Sequence, residues 1–172
     1  LDMVTTATPG IKDVLILGKI KQIEQEGVAD VILVDAPAAC HAISFLRIAT
    51  GLRDAVTVGP ILSQAEDVIA LLTDETRCRV VLTTLPEETP VNEAVETAFA
   101  LEDQVGVKLG PMVINGAVPH RDLPDDVAAA AEEEGLELDA EERERLAAAA
   151  RFRNGREESQ REQVARLTDA LP

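Results

Sequence analysis

Trp and Tyr are absent from the 172 residues and Phe occurs three times, so the core falls to Val, Ile, Leu and Ala. No functional class follows from that scarcity. Cysteine is nearly absent too. Cys40 and Cys78 stand alone, outside any C-x-x-C pair, which excludes a zinc site within one chain and reads as the reduced thiols of a cytosolic protein. No apolar run approaches the ~20 residues that cross a bilayer, so membrane insertion is not expected. Basic residues are outnumbered, 16 Lys and Arg against 32 Asp and Glu, giving a net charge of -16 and a pI near 4.4. With no local basic patch, such a chain repels phosphate backbones, and nucleic acid is excluded as a partner. There is no internal repeat of the kind that builds a solenoid.

What remains is the composition of a soluble globular protein, with 46% hydrophobic and 28% charged residues, in a length that closes one core. The opening "LDMVTTATPG" has neither an initiating Met nor a basic and apolar signal segment, and reads as the interior of something longer.

From Gly10 to Gly27, apolar residues at Ile11, Val14, Leu15, Leu17, Ile20 and Ile23 predict an amphipathic helix ended by glycine. Asp30 to Val34 is a continuous apolar run behind an acid, the pattern of a strand buried on both faces. Helices are predicted from about His41 to Ala49 and from Gly59-Pro60 through "ILSQAEDVIALLTDE". A second buried strand is read in "RVVLTTLP", Arg79 to Pro86. Thr89-Pro90 then reads as an N-cap and first helical residue of a helix reaching Gln104, and "MVINGAV" gives a third strand ending near Asn115. Strands alternating with helices predict an α/β fold, a three-layer and mostly parallel sheet, over residues 1–119. Residues 120–172, rich in Ala, Glu and Arg, are expected as an acidic helical segment packed on that core and interrupted at Gly135 and Asn154-Gly155.

In open α/β sheets ligands gather at the carboxyl ends of strands, and each predicted strand ends in polar or turn-forming residues. These are Asp35-Ala36-Pro37, Pro86-Glu87-Glu88 and Asn115-Gly116. Asp35 has two readings: a carboxylate on a rigid strand facing Mg²⁺ through water, or a cap for the turn at Ala36 to Ala39. Asn115 offers an acceptor and a donor that match the edge of adenine, yet Asn-Gly is also a common turn. His41 is either a functional imidazole or a helix-start packing residue. Glu87 and Glu88 either orient water or metal, or answer the dipole of the following helix. Cys40 and Cys78 read as small buried hydrophobes and Glu132 to Glu134 as a solvated helix face.

Taken in order, these segments resemble the ArsA-like ATPases, the anion-transporting and tail-anchored-protein-targeting branch of the P-loop NTPases, in their bacterial form. "DAPAACHAISFL" aligns without a gap on that family's D-T-A-P-T-G-H-T-L-R-x-L switch, placing Asp35 on its acid and His41 on its histidine. "TPGIKDVLILGKI" resembles the helix before the switch and "LPEETPVNEAVE" the strand and helix after it, with Pro86-Glu87 on the family's Pro-Glu pair. "MVINGAV" resembles V-V-N-Q, whose Asn would here be Asn115. "REESQREQVARL" is similar to an Arg- and Gln-rich helix.

The resemblance implies a cytoplasmic ATPase with ATP and Mg²⁺ as ligands. Asp35 would meet the metal through water, Ala36, Pro37 and His41 would form the γ-phosphate switch, and Asn115 would hold adenine. It allows a homodimer and contact with a membrane partner. The family's glycine-lysine phosphate loop and its first switch, which carries the catalytic aspartate, are absent from the sequence. The expectation is therefore the C-terminal part of an ATPase, inactive alone, with no catalytic residue of its own. The family's C-x-x-C zinc pair is missing, the stretch from Ala49 to Arg79 is too short for a client-binding helical insert, and two cysteines make no metalloid triad. The competing readings are a noncatalytic interaction domain on the same scaffold, with the acidic helices as its surface, and a partitioning-type ATPase of the wider superfamily.

Overall fold

The computed structural model describes residues 11–171. Among these residues six helices and one pair of short strands follow in chain order. They are α1 (Ile11–Gln25), α2 (Ala39–Ala55), α3 (Pro60–Thr73), β1 (Thr83–Thr84), α4 (Glu88–Gln104), β2 (Val113–Ile114), α5 (Val127–Glu133) and α6 (Ala140–Ala170). Two compact units divide them: one of residues up to Leu82 with Glu93–Val113, the other of Thr83–Asn92 with Ile114 onward. No described helix is long and apolar enough to cross a membrane.

The first unit is a helical layer. α1, α2 and α3 pack on one another around Leu17, Phe45, Ala49, Val68 and Leu72, and Leu101 of α4 and Val107 complete the cluster. The helix expected from Gly10 starts, within the described residues, at Ile11. It ends as predicted, where Gly27 takes a φ of 62° and donates its N–H to the Glu24 carbonyl. Pro60 opens α3 at a position whose N–H would go unpaired in any case. Cys78 is partly buried against the same cluster, and that burial pushes its thiol pKa up. The side chain of Cys40 lies outside the described part.

The three-layer parallel sheet is not found. The structure is predominantly helical, and among the described residues the sheet is β1 with β2 alone. The apolar run from Val31 to Val34 takes no regular secondary structure, with Val31 72% and Leu33 92% exposed. β-branched residues favour extended backbone, but a strand exists only where a neighbour accepts its ladder bonds. That run has none among the described residues.

The other two predicted strands do meet, over a shorter length than expected. Val80 brackets Leu109, donating to the Lys108 carbonyl at 2.9 Å and accepting from Gly110 at 2.8 Å. Val113 then donates to Leu82 and Asn115 to Thr84, each at 2.8 Å. Between Gly110 and Val113 this strand advances one residue more than its partner does between Val80 and Leu82, which is a bulge. Pro111, with no N–H to contribute, stands in it.

α4 begins at Glu88 rather than at Thr89-Pro90. The Glu87 carbonyl accepts the first helical bond, from Val91, and Pro90 falls within the first turn. In the second unit, α5 is capped by Asp126, whose carboxylate accepts from the N–H groups of Ala128 and Ala129. Gly135 breaks the chain there at a φ of 91°. α6 opens on a reciprocal capping box between Asp139 and Glu142. It then runs unbroken for 31 residues through the expected interruption at Asn154-Gly155. An Asn-Gly pair costs a helix only about 1 to 1.5 kcal/mol, and here its flanks are strong helix formers that also pack.

Candidate functional site

Asp35 sits on the exposed segment that leads into α2. Ala36 and Pro37 are exposed as well. The N-terminus of α2 has no side-chain cap: the N-cap position is Ala38, and the first turn carries no acid. Ala39 adopts a φ of 35°, a backbone region that side-chain-bearing residues rarely occupy. His41 is exposed in the first turn and engaged in an interaction of its own. A carboxylate beside an uncapped helix start suits a cation bridging to an anion. Among the described residues no three His, Cys, Asp or Glu side chains are grouped to hold a metal ion. The described residues therefore supply no protein cage for a metal ion.

The second unit brings the other predicted residues together. The bond from the Asn115 N–H to the Thr84 carbonyl fixes Asn115 beside the end of β1, two residues before Pro86. Pro86 is fully buried, and exposed Glu87 lies 3.6 Å from the guanidinium of Arg156 on α6. Pro86-Glu87 and Asn115 thus share the carboxyl end of a parallel pair. Asn115 is exposed, and its Oδ1 accepts the Gly116 N–H at 2.9 Å, with Gly116 at a φ of 67°. This is a local contact at a bend in the chain. It leaves the amide donors and the second lone pair of Oδ1 for a ligand. Asp35, Ala36, Pro37 and His41 belong to the first unit, Pro86, Glu87 and Asn115 to the second.

Side chains of α6, none of them a predicted site residue, hold the loop after β2. Gln160 on α6 accepts the Val118 N–H through Oε1 at 2.8 Å. Arg153 donates through Nη2 to the Pro119 carbonyl, also at 2.8 Å. Glu157 pairs with His120 and with Arg161, and its carboxyl is held below the usual range chiefly by the His120 contact. Arg166, one turn beyond Gln163, reaches Asn92. The signal was present as polar residues at positions 153, 157, 160 and 163, one stripe of a helix. In a surface helix such a stripe reads as solvent-facing; here Gln160 and Gln163 are buried.

Two open grooves of about 460 and 450 Å³ lie elsewhere. One is between α5 and α6 around Leu136 and Leu146, the other between α1 and α3 around Leu15 and Gln64. Neither is lined by a predicted site residue.

No family model matches the chain. It is 34% identical over 140 residues, 78% of its length, to ATPase BagA of Mycobacterium tuberculosis (strain ATCC 25618 / H37Rv). The same identity and coverage hold for a Mycobacterium bovis protein also named as an ATPase. The chain is thus related to proteins named as ATPases, and it spans about 41% of the length of each of them.

Proposed function

We propose that this chain is the adenine-side, C-terminal portion of a longer ArsA-like ATPase of the P-loop superfamily. That enzyme couples ATP binding and hydrolysis to a conformational or dimer change. The observation that carries this reading is the relationship to ATPases more than twice as long, over most of this chain, together with Asn115 and Pro86-Glu87 at one strand end. In the complete enzyme Asp35 orients the waters of Mg²⁺, and the segment from Ala36 to His41 responds to loss of the γ-phosphate. The uncapped start of α2 and the rare backbone angle of Ala39 support that role for the segment. Asn115 accepts from and donates to the adenine edge. When bound, Mg²⁺ would supply charge neutralisation on the phosphates. The phosphate cradle and the catalytic acid come from outside these residues, so the chain alone does not turn over ATP.

Steady phosphate release tests this reading. It is expected from the full-length protein, and the isolated chain is expected to remain at background. Turnover by the purified chain alone, or none by the full-length protein, contradicts it.

A further inference from the structure

Gln160 is 6% exposed, and its two ends are treated unequally. Oε1 accepts the Val118 N–H, while Nε2 is buried with no hydrogen-bond partner. The orientation is not interchangeable, because a backbone N–H can only donate and must face the oxygen. Arg153, seven residues earlier on the same helix face, repeats the pattern. Its Nη2 holds the Pro119 carbonyl while its Nε is buried without an acceptor. An unpaired buried donor is unfavourable, so each of these side chains bears a cost at one end while its other end holds a backbone group of the loop. What the two residues have in common is the position they impose on the backbone at Val118 and Pro119.

What they position is short. Val118, Pro119 and His120 are gripped in succession by Gln160, Arg153 and Glu157. On its other side the loop is fixed by the Asn115 bond to Thr84. Only Gly116 and Ala117 lie between the two anchors. The turn at Gly116 is tight as well, since a Cβ there would come within 3.3 Å of Leu85. Release of the grip at Val118 and Pro119 frees that turn, and with it the direction of the Asn115 carboxamide.

We propose that Gln160 and Arg153 are positioning residues that aim Asn115, and so set base specificity without touching the nucleotide. This rests on Asn115 recognising adenine, so the experiment separates the two claims. ATP and GTP dissociation constants and melting curves are measured on the full-length protein as wild type, Asn115→Ala, Gln160→Met, Gln160→Glu, Arg153→Met and the double variant Asn115→Ala/Gln160→Met. Gln160→Glu keeps an oxygen for Val118 and serves as the conservative rescue. Arg153→Met keeps the test open should Gln160→Met fold poorly.

The expected result has four parts. Asn115→Ala narrows the ATP over GTP preference, Gln160→Met and Arg153→Met each narrow it by about three- to tenfold, Gln160→Glu retains it, and the double variant loses no more preference than Asn115→Ala. If Asn115→Ala narrows the preference while Gln160→Met and Arg153→Met lower only the melting temperature, the positioning role is overturned and the adenine reading stands. An unchanged preference in Asn115→Ala overturns both.

Discussion

Gly155→Ala is expected to stabilise the second unit, and the size of the effect follows from the unbroken course of α6. Gly155 lies in the middle of a 31-residue helix, its φ is not in the left-handed region, and a Cβ there meets nothing within 4 Å. No hydrogen bond is lost, because the neighbouring contacts are made by the side chains of Arg153 and Arg156. The change then reduces to backbone freedom and helix propensity, worth about 0.8 to 1 kcal/mol in favour of alanine. For a chain of this size that corresponds to a rise of roughly 2 to 4 °C in the midpoint of the transition that melts α6. Urea and thermal unfolding followed by far-ultraviolet circular dichroism measure both quantities. The helix also carries the grip on the loop after β2, so the loop contacts should survive. An unchanged or lowered midpoint would mean that the helix breaks at Asn154-Gly155 after all, and the placement of Arg153 relative to Gln160 would fall with it.

Leu33→Glu in this chain should change unfolding free energy by no more than about 0.5 kcal/mol, as at other exposed positions, because Leu33 is 92% exposed. A loss of several kcal/mol, measured by urea titration, would return Val31 to Val34 to a buried strand. The Glu24 carboxyl is held below its usual range mainly by the two-pronged hydrogen bond from Arg77, at 2.9 and 2.8 Å. Its folded pKa is depressed, so the stabilisation is fully present above the unfolded value of about 4.3 and is lost as pH falls through the folded value. Urea midpoints of wild type and Glu24→Gln should therefore differ near neutrality and converge in acid; a constant gap would refute the linkage.

Helices were legible in the sequence because their signals are local. Gly27 and Pro60 each act within a turn of the end they define, whereas the caps at Asp126 and Asp139 were not read. The sheet was not legible to the same degree. Val31 to Val34 and Val80 to Leu82 have similar composition, and among the described residues only the second finds a partner with free N–H and C=O groups. Pairing is a property of two segments, and nothing in either one reports it. The bulge at Pro111 and the shortness of β1 and β2 escaped for the same reason.

Part of the candidate site could be read from residue type alone. Asn115 and Pro86-Glu87 were marked by their place after apolar runs, and the ladder bond to Thr84 brings them to one end. Gln160 and Arg153 were not marked, because a polar stripe on a charged helix looks like a solvated face until the loop that covers it is known.

In the proposed enzyme Asp35 serves Mg²⁺-dependent ATP hydrolysis and contributes little to folding. Asp35 is exposed, and α2 takes no side-chain cap, so Asp35→Asn in the full-length protein should leave the melting temperature within about 1 °C, the scale of a neutral surface change. Its Mg²⁺-dependent phosphate release should fall at least about tenfold, since a neutral amide no longer draws the cation's waters. Activity equal to wild type, or a loss of activity matched by a loss of melting temperature, would contradict the account.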